Sequence, residues 1–276
     1  NYSFNTKQFK FYDSKEKPLI YALINDQNNT IWAGGFTSGL LKYDPISDRF
    51  IEITGNKSSL PDKDVVEIIP IDSTTLWICT WAGGIHKFNT IDETFEELLI
   101  NGERLNLVRI SLKDSKGNIW LGTDQGAYCI EPNEEIKKYH AEDGSEQKLS
   151  GDRIFSIKED QLGNIWLGTN VGLTKLDKMH RTTALFYEQK GLPNDFIYSI
   201  LIDKNNNIWV STNYGISVLN QQTNTFSNYT TSDGLQNIEF NGKAGYQDKY
   251  GNFYFGGISG INIFKPEEIS ENKHLP

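Results

Sequence analysis

Residues 163–176 read GNIWLGTNVGLTKL, and nearly the same phrase occurs at 117–130 as GNIWLGTDQGAYCI and at 206–219 as NNIWVSTNYGISVL. Its tryptophan recurs at positions 32, 77, 120, 166 and 209, at intervals of 45, 43, 46 and 43 residues. Tyr254 takes the same position 45 residues later, in GNFYFGGISGINIF. A period in the forties is typical of paired-helix repeats or of four-stranded propeller blades.

The residues around the tryptophan favour strands over helices. Each phrase follows a short apolar run, such as IFSIKED at 154–160, and an Asp-x-x-Gly-Asn turn, such as 160–164. In that turn the Asp accepts backbone hydrogen bonds and the fourth residue takes a left-handed conformation, which Asn29 and Asn206 also tolerate. A strand, a tight reversal at 170–172 and two further strands complete each repeat. The sequence therefore predicts an all-β fold, a β-propeller of four-stranded blades.

Six such repeats account for nearly all of the chain. We expect one β-propeller over 1–276, with a partial blade over 1–13 and repeats over about 17–54, 60–100, 105–140, 152–189, 195–230 and 237–266. The first residues resemble the third and fourth strands of a repeat, and nothing after Phe264 resembles a fourth strand. We therefore expect either a piece of a longer array or first strands that close the ring against the last blade.

The tryptophan strand is apolar or small on both faces, with Trp166 and Gly168 on one face and two aliphatic residues on the other. A blade packed between two neighbours has no face in contact with water, so we expect all five repeated tryptophans to be buried at equivalent positions. Gly168 should leave room for a bulky neighbour. Cys79 and Cys129 lie in predicted strands of adjacent blades, where two buried free thiols are expected rather than a disulfide.

Composition excludes several classes of partner. The chain has a net charge of −9 and a pI of about 5.0, which disfavours nucleic acids and anionic membranes as partners. No apolar run approaches the length of a membrane span, so no direct membrane contact is expected. The first residues lack the character of a signal peptide.

The sequence contains no pattern of a catalytic or cofactor site. It has neither a Gly-Lys-Ser/Thr phosphate loop nor a nucleophile elbow. His86, His140, His180 and His274 lack the spacing of metal ligands and are expected at the surface. We therefore predict no catalytic residues, no metal and no cofactor.

The repeat pattern also resembles a known family. LPNDFI at 192–197 precedes DKNNNIWVSTNYGI at 203–216, and LSGDRI at 149–154 precedes DQLGNIWLGTNVGL at 160–173. This arrangement resembles the two-component regulator propeller repeat, and residues 239–269 resemble the last blade of such arrays. Propellers of that family often have seven blades, so the six repeats are expected to be either a whole propeller or part of a larger one.

The resemblance implies the periplasmic sensor region of a hybrid two-component histidine kinase, which senses an oligosaccharide and regulates carbohydrate-utilisation genes. It implies an oligosaccharide or a carrier protein as partner, contacts with other propeller and β-sandwich domains of the same chain, and a homodimer of the full-length protein. This region itself would then not be an enzyme. Two alternatives remain open: a scaffold or dimerisation propeller without a ligand, and a propeller enzyme similar to the streptogramin lyases.

A ligand is expected at one end of the blades. The second-to-third turn of a blade and its link to the next blade emerge at the same end, which is therefore rich in loops. Aromatic planes beside amides, carboxylates and Arg suit a sugar. Trp81 and Tyr214 are the foremost candidates, because they place bulky rings in turns where most repeats have small or polar residues. The predicted ligand-binding residues are Trp81, Tyr214, Phe36, Asp124, Asn170, Asn213, Arg153 and Asp195. The alternative for the turn Asn and Asp residues is that they only cap turns and links.

Overall fold

The chain is built of antiparallel sheets whose strands follow one another in sequence order, as in propeller blades. The computed structural model describes residues 2–3, 8–9, 19–55, 59–142 and 148–269. Two compact units divide the chain, residues 1–108 and residues 109–276. The predicted all-β propeller architecture is confirmed.

The first unit contains a two-stranded sheet and two complete blades. Strands β1 (Tyr2–Ser3) and β2 (Gln8–Phe9) pair antiparallel, as expected for the third and fourth strands of a blade. The rest of the predicted partial blade lies outside the described residues, and so does the proposed closure of the ring by the first strands. Blade 1 consists of β3 (Ile20–Asn25), β4 (Ile31–Gly35), β5 (Gly39–Asp44) and β6 (Arg49–Ile53). Blade 2 consists of β7 (Val65–Pro70), β8 (Thr75–Thr80), β9 (Ile85–Asn89) and β10 (Thr94–Leu98).

The second unit contains the remaining four blades. Blade 3 consists of β11 (Ile110–Lys113), β12 (Ile119–Thr123), β13 (Gly126–Ile130) and β14 (Ile136–Tyr139). Blade 4 consists of β15 (Ile154–Glu159), β16 (Ile165–Thr169), β17 (Leu173–Leu176) and β18 (Thr182–Phe186). Blade 5 consists of β19 (Ile197–Ile202), β20 (Ile208–Thr212), β21 (Gly215–Asn220) and β22 (Thr225–Tyr229). Blade 6 has three strands among the described residues: β23 (Phe240–Gln247), β24 (Phe253–Gly257) and β25 (Gly260–Phe264). Short 3-10 helices span Glu188–Lys190, Thr231–Asp233 and Pro266–Glu268.

The Asp-x-x-Gly-Asn turn forms as predicted and also holds the tryptophan. In blade 4, Oδ1 of Asp160 accepts the backbone N–H groups of Leu162 and Asn164 at 2.9 and 3.0 Å. Its Oδ2 accepts the indole N–H of Trp166 at 3.0 Å. Gly163 has a φ of 79°, in the left-handed region. The same indole–carboxylate bond joins Trp32 to Asp26, Trp120 to Asp114 and Trp209 to Asp203.

Trp77 is the exception among the repeated tryptophans. The other four are buried, whereas Trp77 is only half-buried, so the prediction of five equivalent buried tryptophans is wrong for this one. Its turn is shorter, and Oδ1 of Asp72 caps it by accepting the N–H groups of Thr74 and Thr75 at 2.8 and 2.9 Å. Among the described residues, no carboxylate accepts a hydrogen bond from the Trp77 indole.

Neighbouring blades pack closely where a glycine leaves room for a side chain of the next blade. A Cβ built on Gly168 would lie 2.5 Å from Cγ2 of Ile197 in blade 5, which confirms the predicted close approach. The first strands of successive blades pack against one another within each unit, β3 on β7 in the first and β11, β15, β19 and β23 in the second. Cys79 and Cys129 are buried free thiols, as predicted.

Candidate functional site

Two aromatic side chains stand at strand irregularities in the second unit. The pairing of β15 with β16 shifts register between Ile154 and Ser156, so Phe155 is an extra, bulged residue. The pairing of β19 with β20 shifts in the same way around Tyr198. A bulge turns the extra side chain out of the regular alternation of the strand, and such bulges are common next to functional sites.

These two residues form an aromatic cluster with Phe196, which lies in the link before β19. The ring centroids of Phe155 and Phe196 are 4.7 Å apart, and those of Phe196 and Tyr198 are 4.6 Å apart. All three side chains are half-buried, so each keeps part of its surface in water. The hydroxyl of Tyr198 donates to Oδ1 of Asn213 at 2.8 Å. Gly242 adjoins the cluster, because its Cβ would lie 3.8 Å from the Tyr198 ring.

A charged group adjoins these rings. The Arg109 guanidinium donates to both oxygens of Asp124, at 2.5 and 2.9 Å, and stands over the Phe155 ring with its Cζ 5.5 Å from the centroid. Arg153 lies 3.5 Å from Asp124 Oδ1 and exposes about half of its side chain. The hydrogen bond from Arg109 is the main reason that the pKa of Asp124 is lowered, with both guanidinium charges adding to it. Asp124 is therefore a carboxylate that holds two arginines beside an aromatic surface.

We call this group the aromatic–arginine site. Its members are Arg109, Asp124, Arg153, Phe155, Phe196, Tyr198 and Asn213. A cleft of about 650 Å³ shares Asp124 with it. The cleft is also lined by Gln125, Lys138, His140, Ala141, Glu142 and Asp152. Its volume falls within the ordinary range for small-ligand pockets.

Three of the predicted ligand-binding residues lie in this site, namely Asp124, Arg153 and Asn213. The structure brings Phe36 and Trp81 together in the first unit, with ring centroids 5.5 Å apart. Trp81 keeps 39% of its surface exposed. Tyr21, the bulged residue of β3, packs edge-on against Phe36 with centroids 5.0 Å apart.

The remaining three predicted residues stand elsewhere or serve the backbone. Oδ1 of Asp195 accepts the N–H of Glu188 at 2.6 Å and so caps the 3-10 helix before its own link. The backbone N–H of Asn170 donates to the carbonyl of Arg153, and its Oδ1 is buried without a hydrogen-bond partner. Tyr214 is 51% exposed and has no ring contact within the described part of the chain.

Sequence reasoning did not select Phe155, Phe196, Tyr198 or Arg109 for the site. A signal for two of them was present, because IFSIKED and IYSILID carry an aromatic residue at the second position of otherwise aliphatic runs. A regular strand would bury that residue between blades. Only the bulge, which depends on the pairing register with the next strand, turns this aromatic side chain toward the link between the blades.

The histidines differ in part from expectation. His86 and His180 are buried rather than at the surface, and His274 lies outside the described residues. His180 packs edge-on against Trp120, with centroids 4.9 Å apart, so it completes the core of blade 3. Within the ranges that the structure describes, no group of three or more His, Cys, Asp or Glu side chains could hold a metal ion.

Comparison with known proteins assigns the repeat. Residues 148–171 and 191–214, each a link with the first two strands of its blade, match the family model described as "Two component regulator propeller". These two segments therefore match the two-component regulator propeller repeat. "Histidine kinase P4" of Formosa agariphila is 26% identical, over 99% of this chain and 20% of the relative. The chain thus spans about a fifth of the length of that relative.

Solved structures share the fold of these regulator propeller repeats. An extracellular domain assigned to a hybrid two component system of B. thetaiotaomicron superposes with a TM-score of 0.71 at 21% identity, over 97% of this chain and 37% of that one. Virginiamycin B lyase from Staphylococcus aureus superposes with a TM-score of 0.64 at 16% identity, over 88% of this chain and 78% of that one. At these identities the likeness shows the fold alone. In the described ranges, no helix has the length and apolar character needed to cross a membrane.

Proposed function

We propose that this chain is the extracytoplasmic, ligand-sensing propeller of a two-component sensor kinase, and that it binds an oligosaccharide at the aromatic–arginine site. Three half-buried rings beside two arginines on one carboxylate are the observation that carries this proposal. A sugar stacks its C–H face on such rings, while its hydroxyls need paired donors and acceptors. The relatives described as a histidine kinase and as extracellular domains of two component systems support the sensor role and its location.

The preformed geometry suits recognition better than chemistry. Asp124 already receives both hydrogen bonds of Arg109, and the Tyr198 hydroxyl is held by Asn213. A site whose polar groups are held before binding loses little conformational entropy when the ligand enters. Arg153 is half exposed and lies 3.5 Å from Asp124, where it would donate to a sugar hydroxyl or to the carboxylate of an acidic sugar.

The test is calorimetry of a protein that carries this chain against a panel of neutral and acidic oligosaccharides. Phe196→Ala removes the central ring, and we expect binding to weaken by about 1–3 kcal/mol, as for other truncated aromatic anchors. Tyr250→Ala is the matched control, because Tyr250 is an exposed aromatic in the turn before β24, outside the site. Equal affinities in the parent and in Phe196→Ala would refute the assignment of the site.

A scaffold role is the second candidate, and one observation favours it. Ile20, Leu23 and Ile31 of blade 1 are 46%, 64% and 37% exposed, at positions whose counterparts in blade 4 are buried. An exposed apolar row of this kind suits a protein partner, such as another domain of the same chain or a second copy. Loss of self-association or of domain contacts in Leu23→Glu, with oligosaccharide binding intact, would assign that role to this face. The lyase alternative has no comparable observation in its favour.

A further inference from the structure

The first unit has an aromatic cluster of its own, beside the link between blades 1 and 2. We call it the first-unit aromatic cluster, and its members are Tyr21, Phe36 and Trp81. The ring planes of Tyr21 and Phe36 meet at 84°, and those of Phe36 and Trp81 meet at 52°. Tyr21 is 47% exposed, and the other two rings also keep part of their surface in water. Rings at such angles present separate faces rather than one flat surface.

Phe36 and Trp81 stand at a repeat position that is polar in the second unit. Each residue directly follows the second strand of its blade, where blades 3, 4 and 5 have Asp124, Asn170 and Asn213. The first unit therefore places rings in the turns where these three blades place hydrogen-bonding side chains.

Two carboxylates are fixed beside the rings by backbone hydrogen bonds. Oδ1 of Asp64 accepts the N–H of Thr37, the residue after Phe36, at 2.8 Å. Oδ2 of Asp62 accepts the N–H of the residue after Trp81 at 2.7 Å. Both aspartates are half-buried. Because a backbone N–H has no net charge, these bonds hold the carboxylates in place without neutralising them.

The charge beside these rings is opposite in sign to that of the arginines in the second unit. Asp64 directly precedes the first strand of its blade, where blades 3 and 4 have Arg109 and Arg153. In the described ranges, neither carboxylate of the cluster has an ion pair, and the amine of Lys63 pairs with Glu52 instead. The net charge of −9 adds a field that favours a cation near this chain.

We propose that the first-unit aromatic cluster binds a small organic cation, an alkylated ammonium group, against its ring faces and its two carboxylates. The face of an aromatic ring attracts a cation, and several rings around one point are the usual recognition site for quaternary ammonium groups. Such a cation has no N–H donor, so it needs ring faces and nearby negative charge rather than paired hydrogen bonds. This inference does not rest on the proposed function, because no residue of the cluster belongs to the aromatic–arginine site.

The experiment uses choline as the probe and measures its binding to a protein that carries this chain by calorimetry. The uncharged comparison is the alcohol in which carbon replaces the quaternary nitrogen, because it has the same shape without the charge. Glucose is the comparison for a neutral sugar. We expect choline to bind and to change the tryptophan fluorescence, because Trp81 lies in the cluster. Both uncharged compounds should bind about tenfold or more weakly.

Two variants separate the contribution of the rings from that of the charge. Trp81→Leu keeps apolar bulk without an aromatic face, and we expect it to weaken choline binding about threefold or more. Asp64→Asn keeps an oxygen for the N–H of Thr37 but removes the charge, so it should weaken the binding of choline and not that of the uncharged alcohol. Tyr250→Leu is the matched control for a lost ring, since Tyr250 is an exposed aromatic in blade 6, outside the cluster.

The outcomes also separate this cluster from the proposed oligosaccharide site. Phe196→Ala should leave choline binding unchanged, and thermal unfolding of every variant shows whether its fold persists. The inference is overturned if choline does not bind, or if the uncharged alcohol or glucose binds as tightly as choline. It is also overturned if either Trp81→Leu or Asp64→Asn binds choline as tightly as the parent.

Discussion

At the scale of single residues, the tryptophans of this chain have two different environments. Trp166 is buried, and its indole N–H reaches the carboxylate of the turn before its strand. Trp81 lies in a second-to-third turn and is 39% exposed, with its ring centroid 5.5 Å from that of Phe36. The same residue type therefore contributes core packing in one place and accessible aromatic surface in the other.

The two environments predict different effects of truncation. Trp166→Ala should lower the free energy of unfolding by about 3–5 kcal/mol, because it leaves a cavity and also removes the indole N–H that donates to Asp160. Trp81→Ala should cost much less, since its ring keeps solvent contact in the folded chain. Denaturant unfolding of both variants beside the parent measures this difference. Equal losses of stability would contradict the packing described for Trp166.

The local turn explains why so much of the fold was predictable from the sequence. Asp160, Gly163 and Trp166 interact within seven consecutive residues, so their chemistry is visible in the sequence itself. Trp77 departs from the pattern because its turn is one residue shorter, a change that the sequence also displays. The aromatic–arginine site was only partly predictable, because its rings meet across two blades. Phe36 and Trp81 were likewise predicted separately, and only the structure brings them into contact.

At the scale of elements, the contact between consecutive blades depends on small residues facing large ones. Gly168 of β16 faces Ile197 at the start of β19, and Gly122 of β12 faces Ile154 at the start of β15. In each of these first strands, the residue that follows the isoleucine is bulged out of the strand pairing. The bulge turns Phe155 and Tyr198 toward the site. The close packing and the bulge occur side by side, so the interface between blades also positions the candidate ligand-binding rings.

A single added methyl group tests this interface. Gly168→Ala should destabilise the chain by about 1–3 kcal/mol, the usual cost of overpacking, because the new Cβ would lie 2.5 Å from Ile197. Gly242→Ala is the matched control, since its Cβ would make an ordinary contact, 3.8 Å from Tyr198. Neither glycine has a positive φ, so the comparison measures packing rather than backbone strain. Thermal unfolding that ranks Gly242→Ala as the less stable variant would contradict the argument.

At the scale of the whole molecule, the repeated turn gives the chain a set of buried carboxylates. Burial by itself would raise the pKa of Asp114 and of Asp160, but the hydrogen bonds of the indole, the Asn side chain and the backbone outweigh it and lower both values. In the described blades, the turn Asp residues that bind an indole are Asp26, Asp114, Asp160 and Asp203. Both compact units contain at least one of them.

This set predicts how stability depends on pH. A carboxyl whose pKa is lower in the folded chain than in the unfolded chain stabilises the fold fully above the unfolded value, about 3.9 for Asp. That contribution is lost as the pH falls from about 4 through the lower folded values, because the carboxylates of Asp114 and Asp160 must then take up protons. Thermal unfolding between pH 7 and pH 2.5 should show a nearly constant melting temperature above pH 5 and a steep fall below pH 4. In Asp160→Asn the chain should be less stable at pH 7 and should lose less on acidification, because one of these titrating groups is gone. An unchanged dependence on pH in that variant would mean that Asp160 does not carry the charge on which its turn and the indole of Trp166 depend.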